Sequence, residues 1–169
     1  LGNVANDAAR ADDAERLELA DRDMEVRLSD LGREQAAAFG DWLATQPDEA
    51  RPDVVVSSPY LRAVETAEIV LETARCALDI VRDERLRERE FGVLDLLTHR
   101  GIVARFPDEA ARRDRLGKFY YRPPGGESWV DVALRLRSLR DSLVRKYADR
   151  RVLVVAHEVP IIVLRYLIE

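Results

Sequence analysis

The stretch Asp53-Val-Val-Val-Ser-Ser-Pro-Tyr-Leu-Arg-Ala-Val-Glu-Thr-Ala67 constrains the fold more than any other part of the chain. Val54 to Val56 are β-branched and uncharged, the pattern of a strand buried on both faces of a parallel sheet. Ser57 and Ser58 stop that strand. Pro59, where a missing N–H is harmless, is expected to open a helix that carries Arg62 in its first turn and runs to about Arg75. A guanidinium beside free backbone N–H groups and the positive end of a helix dipole makes a receptor for phosphate or carboxylate. From these residues alone, the competing reading is that Arg62 pairs with a nearby surface carboxylate.

A second crossing of the same kind lies near the end of the chain. Val152 to Ala156 reads as a buried strand, His157 stands at its carboxyl end, and a helix follows at once. Ligands of open α/β sheets bind at the carboxyl ends of the strands, so Arg62 and His157 should share one edge. A core histidine satisfied by backbone groups is the competing reading of His157.

Between the crossings the pattern is helical and amphipathic. Ser29 is expected to cap a helix to about Gln46, with Leu31, Gln35, Phe39, Trp42 and Leu43 as its core stripe. Ala77 to Val81 reads as a short strand, and Asp83 to Glu90 mostly as a solvated face. The turn-rich, aromatic segment of about 92–126 reads as an insertion beside the site. A further helix, Ser128 to about Ala148, carries Val132, Leu136, Leu139, Leu143 and Tyr147 on one stripe. Leu1 to Arg16 shows no strand pattern and reads as a loop leading into a short helix. The whole of 1–169 is expected to form one α/β domain.

Composition narrows the function classes. A net charge of −5 argues against a general nucleic-acid binder. Two histidines and one cysteine provide no zinc-ligand set, so no metal or other cofactor is expected, and Cys76 cannot form an internal disulfide. The longest apolar runs are far too short for a membrane span, which points to a soluble, cytoplasmic protein. The oligomeric state is open, a homodimer included.

Several motifs in order resemble one family, the histidine phosphatases of the phosphoglycerate mutase-like superfamily. Ser57 to Ala67 is similar to its Ser-Ser-Pro-Leu-x-Arg-Ala-x-Gln-Thr-Ala signature. Leu86-Arg-Glu-Arg-Glu-Phe-Gly92 resembles its acid-bearing segment, Gly125-Gly-Glu-Ser128 its Gly-Glu-Ser turn, and Val154-Val-Ala-His157 its Val-Ser-His strand end. Leu28-Ser-Asp-Leu-Gly-Arg-Glu-Gln-Ala36 matches the helix after the first motif. The resemblance implies a three-layer α/β/α sandwich with a mostly parallel central sheet. It also implies phosphomonoester hydrolysis through a phosphohistidine, without metal. Arg62, Glu88 and His157 would be catalytic, and Asn3, Ser58, Glu127 and Ser128 would bind the small-molecule phosphomonoester. Family spacing selects Glu88 over Glu90 as the acid; without it, either is an exposed charge on an Arg-rich segment. Tyr121, with Phe119 and Tyr120, either packs the insertion down or lines the leaving-group pocket.

Two departures accompany the resemblance. The family's Arg-His-Gly triplet, which carries the nucleophile, is followed by four residues and an Asn. Asn3 fits that Asn, so the triplet is expected upstream of Leu1 on a buried strand. His99-Arg100-Gly101 has the same letters in another order and reads as surface. Glu158 replaces the Gly that usually follows the strand-end His. The nearest variant of the reading is a phosphoglycerate mutase-type phosphotransferase. A non-catalytic module that binds a phosphate ligand is the rival of a different class.

Overall fold

The computed structural model describes residues 15–17, 19 and 22–169. Asn3 and the expected loop and helix of the first residues lie outside the described residues. Helix α1 spans Asp30–Ala44, strand β1 Val54–Ser57, helix α2 Leu61–Thr73 and strand β2 Ile80–Arg82. The insertion folds into α3, His99–Arg105, and α4, Pro107–Tyr120. Helix α5, Trp129–Lys146, strand β3, Val152–Val155, and helix α6, Glu158–Ile168, complete the order.

The sheet is parallel in the order β2-β1-β3, with Val55 opposite Ile80 and Val54 opposite Val152. Alternation of side chains sorts the strands between two helical layers. Val54, Val56, Val152 and Val154 pack with Leu86, Val132, Leu136, Leu139 and Val163, on the side of α5 and α6. Val55, Ile80, Leu153 and Val155 face Ala67 and Leu71 of α2. This is the expected α/β/α sandwich. Among the described residues β3 has a partner only on its β1 side, and its four apolar residues remain half-buried.

Three expectations change in detail. The first helix of the signature begins at Leu61, not Pro59, because Pro59 and Tyr60 turn the chain away from the sheet; Tyr60 is the N-cap, and Arg62 stays in the first turn. The strand expected at Ala77 to Val81 forms at Ile80–Arg82, where the chain comes level with β1. The large residues of α1 do not make its core face: Leu31, Phe39 and Trp42 are 47%, 39% and 54% exposed. The buried face is Gly32, Ala36, Gly40 and Leu43. Size decides this choice, since a Cβ on Gly40 would lie 2.6 Å from Thr73 Cβ, and only small residues let α1 and α2 approach so closely.

Glu65 fastens α2 to the segment before α1. Its buried carboxylate accepts from Arg27 Nε at 2.9 Å, Arg33 Nη2 at 2.8 Å and the Leu28 N–H at 2.9 Å. Burial raises its pKa, but the Leu28 N–H and the two guanidiniums outweigh that and hold it below the usual value.

Candidate active site

Because β1 and β3 run parallel and in register, Ser57 lies opposite Val155, and both crossings emerge side by side. The Ser58 N–H donates to Val155 O at 2.8 Å. The buried Ser58 hydroxyl shares a 2.8 Å hydrogen bond with His157 Nε2, its direction set by the imidazole tautomer. It also accepts from the Tyr60 N–H at 3.3 Å. The neighbouring strand ends foreseen in the sequence therefore meet through a single hydroxyl.

Arg62, in the first turn of α2, lines a cleft of about 840 Å³ whose wall also carries Glu88, Arg89 and His157. The same cleft is lined by Leu153 and Val155 of β3, Phe39 of α1 and Ile161 of α6. The Arg62 guanidinium donates to the Asp23 main-chain oxygen and lies 3.0 Å from Asp23 Oδ1. An anion thus already occupies the receptor, supplied by the one-turn 3-10 helix Asp23–Glu25.

His157 is buried and its pKa is pushed down to about 3, by desolvation first and then by the positive charges of Arg62 and Arg135. The imidazole is therefore neutral near pH 7: in this state it can donate or accept one hydrogen bond but carries no charge. Glu88 shifts the other way. Burial raises its pKa and the charge of Asp23 adds to this, against the Arg89 N–H, Arg62 and Arg135. Glu90 is exposed, whereas Glu88 is half-buried in the cleft wall, so local environment agrees with the family spacing.

The segment expected to be solvated, Asp83 to Glu90, is pinned inward instead. Leu86 is completely buried and Arg89 nearly so. Burying such a leucine contributes roughly 2 kcal/mol, enough to draw the flanking charges into the structure. Arg89 donates from Nε to Glu127 O at 2.6 Å, and its guanidinium lies 4.8 Å from the Phe91 ring centroid.

Glu127, Ser128 and Tyr121 are not brought into the cleft. Glu127 accepts from Arg87, from the Glu90 N–H and twice from Arg135. It braces the acid-bearing segment against α5. Burial raises its pKa, but the hydrogen bond from Arg135, the Glu90 N–H and both arginine charges hold it down. Ser128 caps α5 in a capping box with Asp131. Tyr121 is buried with Leu94 and Ile102 and donates its hydroxyl to Glu109 at 2.8 Å. It packs the insertion down, the first of the two roles foreseen. His99 is exposed at the start of α3, as expected.

Gly92 and Gly126 owe their presence to close approach. Gly92 has φ +56°, and a Cβ there would lie 2.2 Å from Pro124 O; a Cβ on Gly126 would lie 2.6 Å from Glu90 O. Sequence reasoning missed Asp23, Tyr60 and Arg135 around the site. Arg135 left one signal: it interrupts the apolar stripe of α5 between Val132 and Leu139, where a charge needs a buried partner. It finds Glu127, Arg85 O at 2.6 Å and Glu88 O at 3.2 Å.

The described residues thus place Arg62, His157 and the half-buried Glu88 on the wall of one cleft beside the carboxyl ends of β1 and β3. The chain belongs to the histidine phosphatase superfamily, branch 1, whose family model matches residues 12–169. It is 39% identical over 134 residues to a bifunctional protein of Mycobacterium tuberculosis, covering 79% of this chain and 35% of that one. It is 35% identical over 136 residues to a 2,3-bisphosphoglycerate-dependent phosphoglycerate mutase of Gloeobacter violaceus, covering 79% and 60%. The structure of a mycobacterial glucosyl-3-phosphoglycerate phosphatase superposes with a TM-score of 0.72 at 37% identity, covering 86% of this chain and 68% of that one. The chain thus spans about a third of the length of the first of these relatives. Among the described residues no helix is long and apolar enough to cross a membrane.

Proposed function

We propose that the protein hydrolyses a phosphomonoester through a phosphohistidine, within a single domain whose insertion stands beside the site. The observation that carries this reading is the convergence of Arg62, neutral His157 and desolvated Glu88 on a cleft that is also lined by β3, a strand that among the described residues pairs on its β1 side only. A parallel strand added there would end beside His157 and deliver the Arg-His-Gly triplet of the family. In the first half-reaction the histidine nitrogen forms a bond to phosphorus, the ester P–O bond breaks, and Glu88 gives its proton to the departing alkoxide. In the second, water attacks phosphorus, Glu88 takes its proton back, and the P–N bond breaks. Arg62 neutralises the equatorial oxygens in both, once phosphate has displaced Asp23.

Two of the related proteins act, by name, on phosphoglycerates. Arg89 offers a second positive group on the cleft wall. Together these make a phosphomonoester that also carries a carboxylate the first substrate class to test. The same site would serve a mutase if the phosphohistidine passed its phosphoryl group to a second hydroxyl instead of water.

The test is Arg62. Arg62→Ala is expected to abolish inorganic phosphate and vanadate binding. Arg62→Lys should keep a charge yet lose most activity, since an ammonium cannot reproduce the guanidinium fork. Wild-type affinity in Arg62→Ala would remove the reading. Rapid quenching of the longest natural form during turnover should yield protein-bound phosphate that is acid-labile and alkali-stable.

A further inference from the structure

Tyr60 stands where the family signature has Leu, and its contacts are out of proportion to a packing role. It is buried, yet it belongs to none of the buried apolar clusters of the described residues and does not line the cleft. It instead touches His157, Arg62 and Glu90, the last of these two residues along the chain from Glu88. Its ring meets the His157 imidazole edge-on, with centroids 5.0 Å apart, and the Arg62 Cζ lies 5.1 Å from the same ring centroid. Its hydroxyl donates to Glu90 Oε1 at 3.2 Å. Burial, then the adjacent Glu90, raise the phenol pKa, so the hydroxyl remains a donor throughout the working pH range.

Glu90 is itself part of a stiff frame. Its N–H donates to Glu127 Oε2 at 3.1 Å, its carbonyl accepts from the Glu127 N–H at 2.9 Å, and Glu127 is clamped by Arg135. Glu88 lies two residues back along the same segment. Leucine could fill the space of the tyrosine ring, but it has no group to reach a carboxylate and no π-face for a guanidinium.

We propose that Tyr60 is a positioning residue: its ring holds Arg62 and His157 in fixed relation, and its hydroxyl ties that pair to the Glu88–Glu90 segment, so the anion receptor and the proton donor keep one spacing. This rests on the phosphomonoesterase reading for its kinetic consequences. It is separable from that reading through the imidazole of His157, which Ser58, Tyr60, Arg62 and Arg135 surround.

Two variants separate the ring from the hydroxyl. Tyr60→Phe keeps the ring and loses the tie to Glu90. Hydrolysis of an alkyl phosphate, which needs the proton of Glu88, is expected to fall about tenfold more than that of p-nitrophenyl phosphate, because small misplacements of a catalytic group are expensive. Tyr60→Phe and Glu90→Ala should be strongly non-additive, since both remove the same tie. Tyr60→Leu removes the ring as well. NMR titration should then show the His157 pKa rising by about half a unit or more as the ring is uncovered, with exposed His99 as internal control. Equal losses on both esters with additive Tyr60→Phe and Glu90→Ala effects would overturn the tie. An unmoved His157 titration in Tyr60→Leu would overturn the clamp. If the wild type turns over neither ester, the phosphatase reading fails, while the His157 titration still decides whether Tyr60 positions the pair.

Discussion

Asp23→Asn should make the protein bind inorganic phosphate more tightly. Asp23 lies on Arg62 through its carboxylate, 3.0 Å from Nη1, and through its main-chain oxygen. An incoming phosphate must break the carboxylate contact. The Arg62 side chain is 11% exposed and that of Asp23 38%. A hydrogen bond between charged groups contributes about 1.5–3 kcal/mol when protected; with Asp23 partly solvated, about 1–2 kcal/mol is the appropriate share. At 1.4 kcal/mol per decade, phosphate should bind roughly 5- to 30-fold more tightly to the variant. Removing a carboxylate beside a dianion works in the same direction, and the gap should narrow as salt is added. Because the charge of Asp23 also raises the Glu88 pKa, the variant should lose its protonated Glu88 at a lower pH. Calorimetric or ³¹P titration with phosphate at two ionic strengths measures the first effect, and the alkaline limb of kcat measures the second. Unchanged or weaker phosphate affinity in Asp23→Asn would refute the idea that this carboxylate competes for Arg62.

Three further outcomes follow from the same geometry. Glu88→Gln should depress alkyl phosphate hydrolysis by about 10²-fold or more while sparing much of the activity on p-nitrophenyl phosphate, whose phenolate leaves unaided; equal losses would mean Glu88 only binds or supports. His157 has a folded pKa of about 3 against 6.5 for the free group, so the unfolded chain binds the extra proton between those values. Stability from this residue is complete above pH 6.5 and falls with pH down to about 3, at up to roughly 1.4 kcal/mol per pH unit. Urea midpoints at pH 7 and pH 4.5 should therefore drop further in the wild type than in His157→Asn, and parallel drops would contradict the burial argument. Glu127→Ala leaves Arg135 and Arg87 without their shared carboxylate and should lower stability by about 3 kcal/mol, readable as a fall in denaturation midpoint.

How far the site could be read from the sequence varies from residue to residue. Arg62 and His157 were legible because a buried β-branched run that ends in a polar residue and turns into a helix leaves little choice of placement. Glu88 was legible only through family spacing; its burial depends on Leu86, an ordinary leucine in a charged run until the core beneath it is known. Glu127, Ser128 and Tyr121 lie in recognisable turns or aromatic runs, but their partners, Arg135, Asp131 and Glu109, come from other turns of the chain and engage them away from the cleft. The stripe of α1 was misread because hydrophobicity predicts which face can be buried, whereas the contact with α2 selected the face that is small.

The sequence by itself determined the parallel α/β architecture, the alternation that sorts each strand between two helical layers, and the meeting of Arg62 with His157 at one edge. These follow from local periodicity and chain direction. Only the tertiary structure decided that His157 is neutral, that Asp23 occupies Arg62, that Tyr60 lies against both Arg62 and His157, and that among the described residues β3 pairs on one side only. Each of these depends on desolvation or on the distance between groups remote in sequence, and neither quantity exists until the chain is packed.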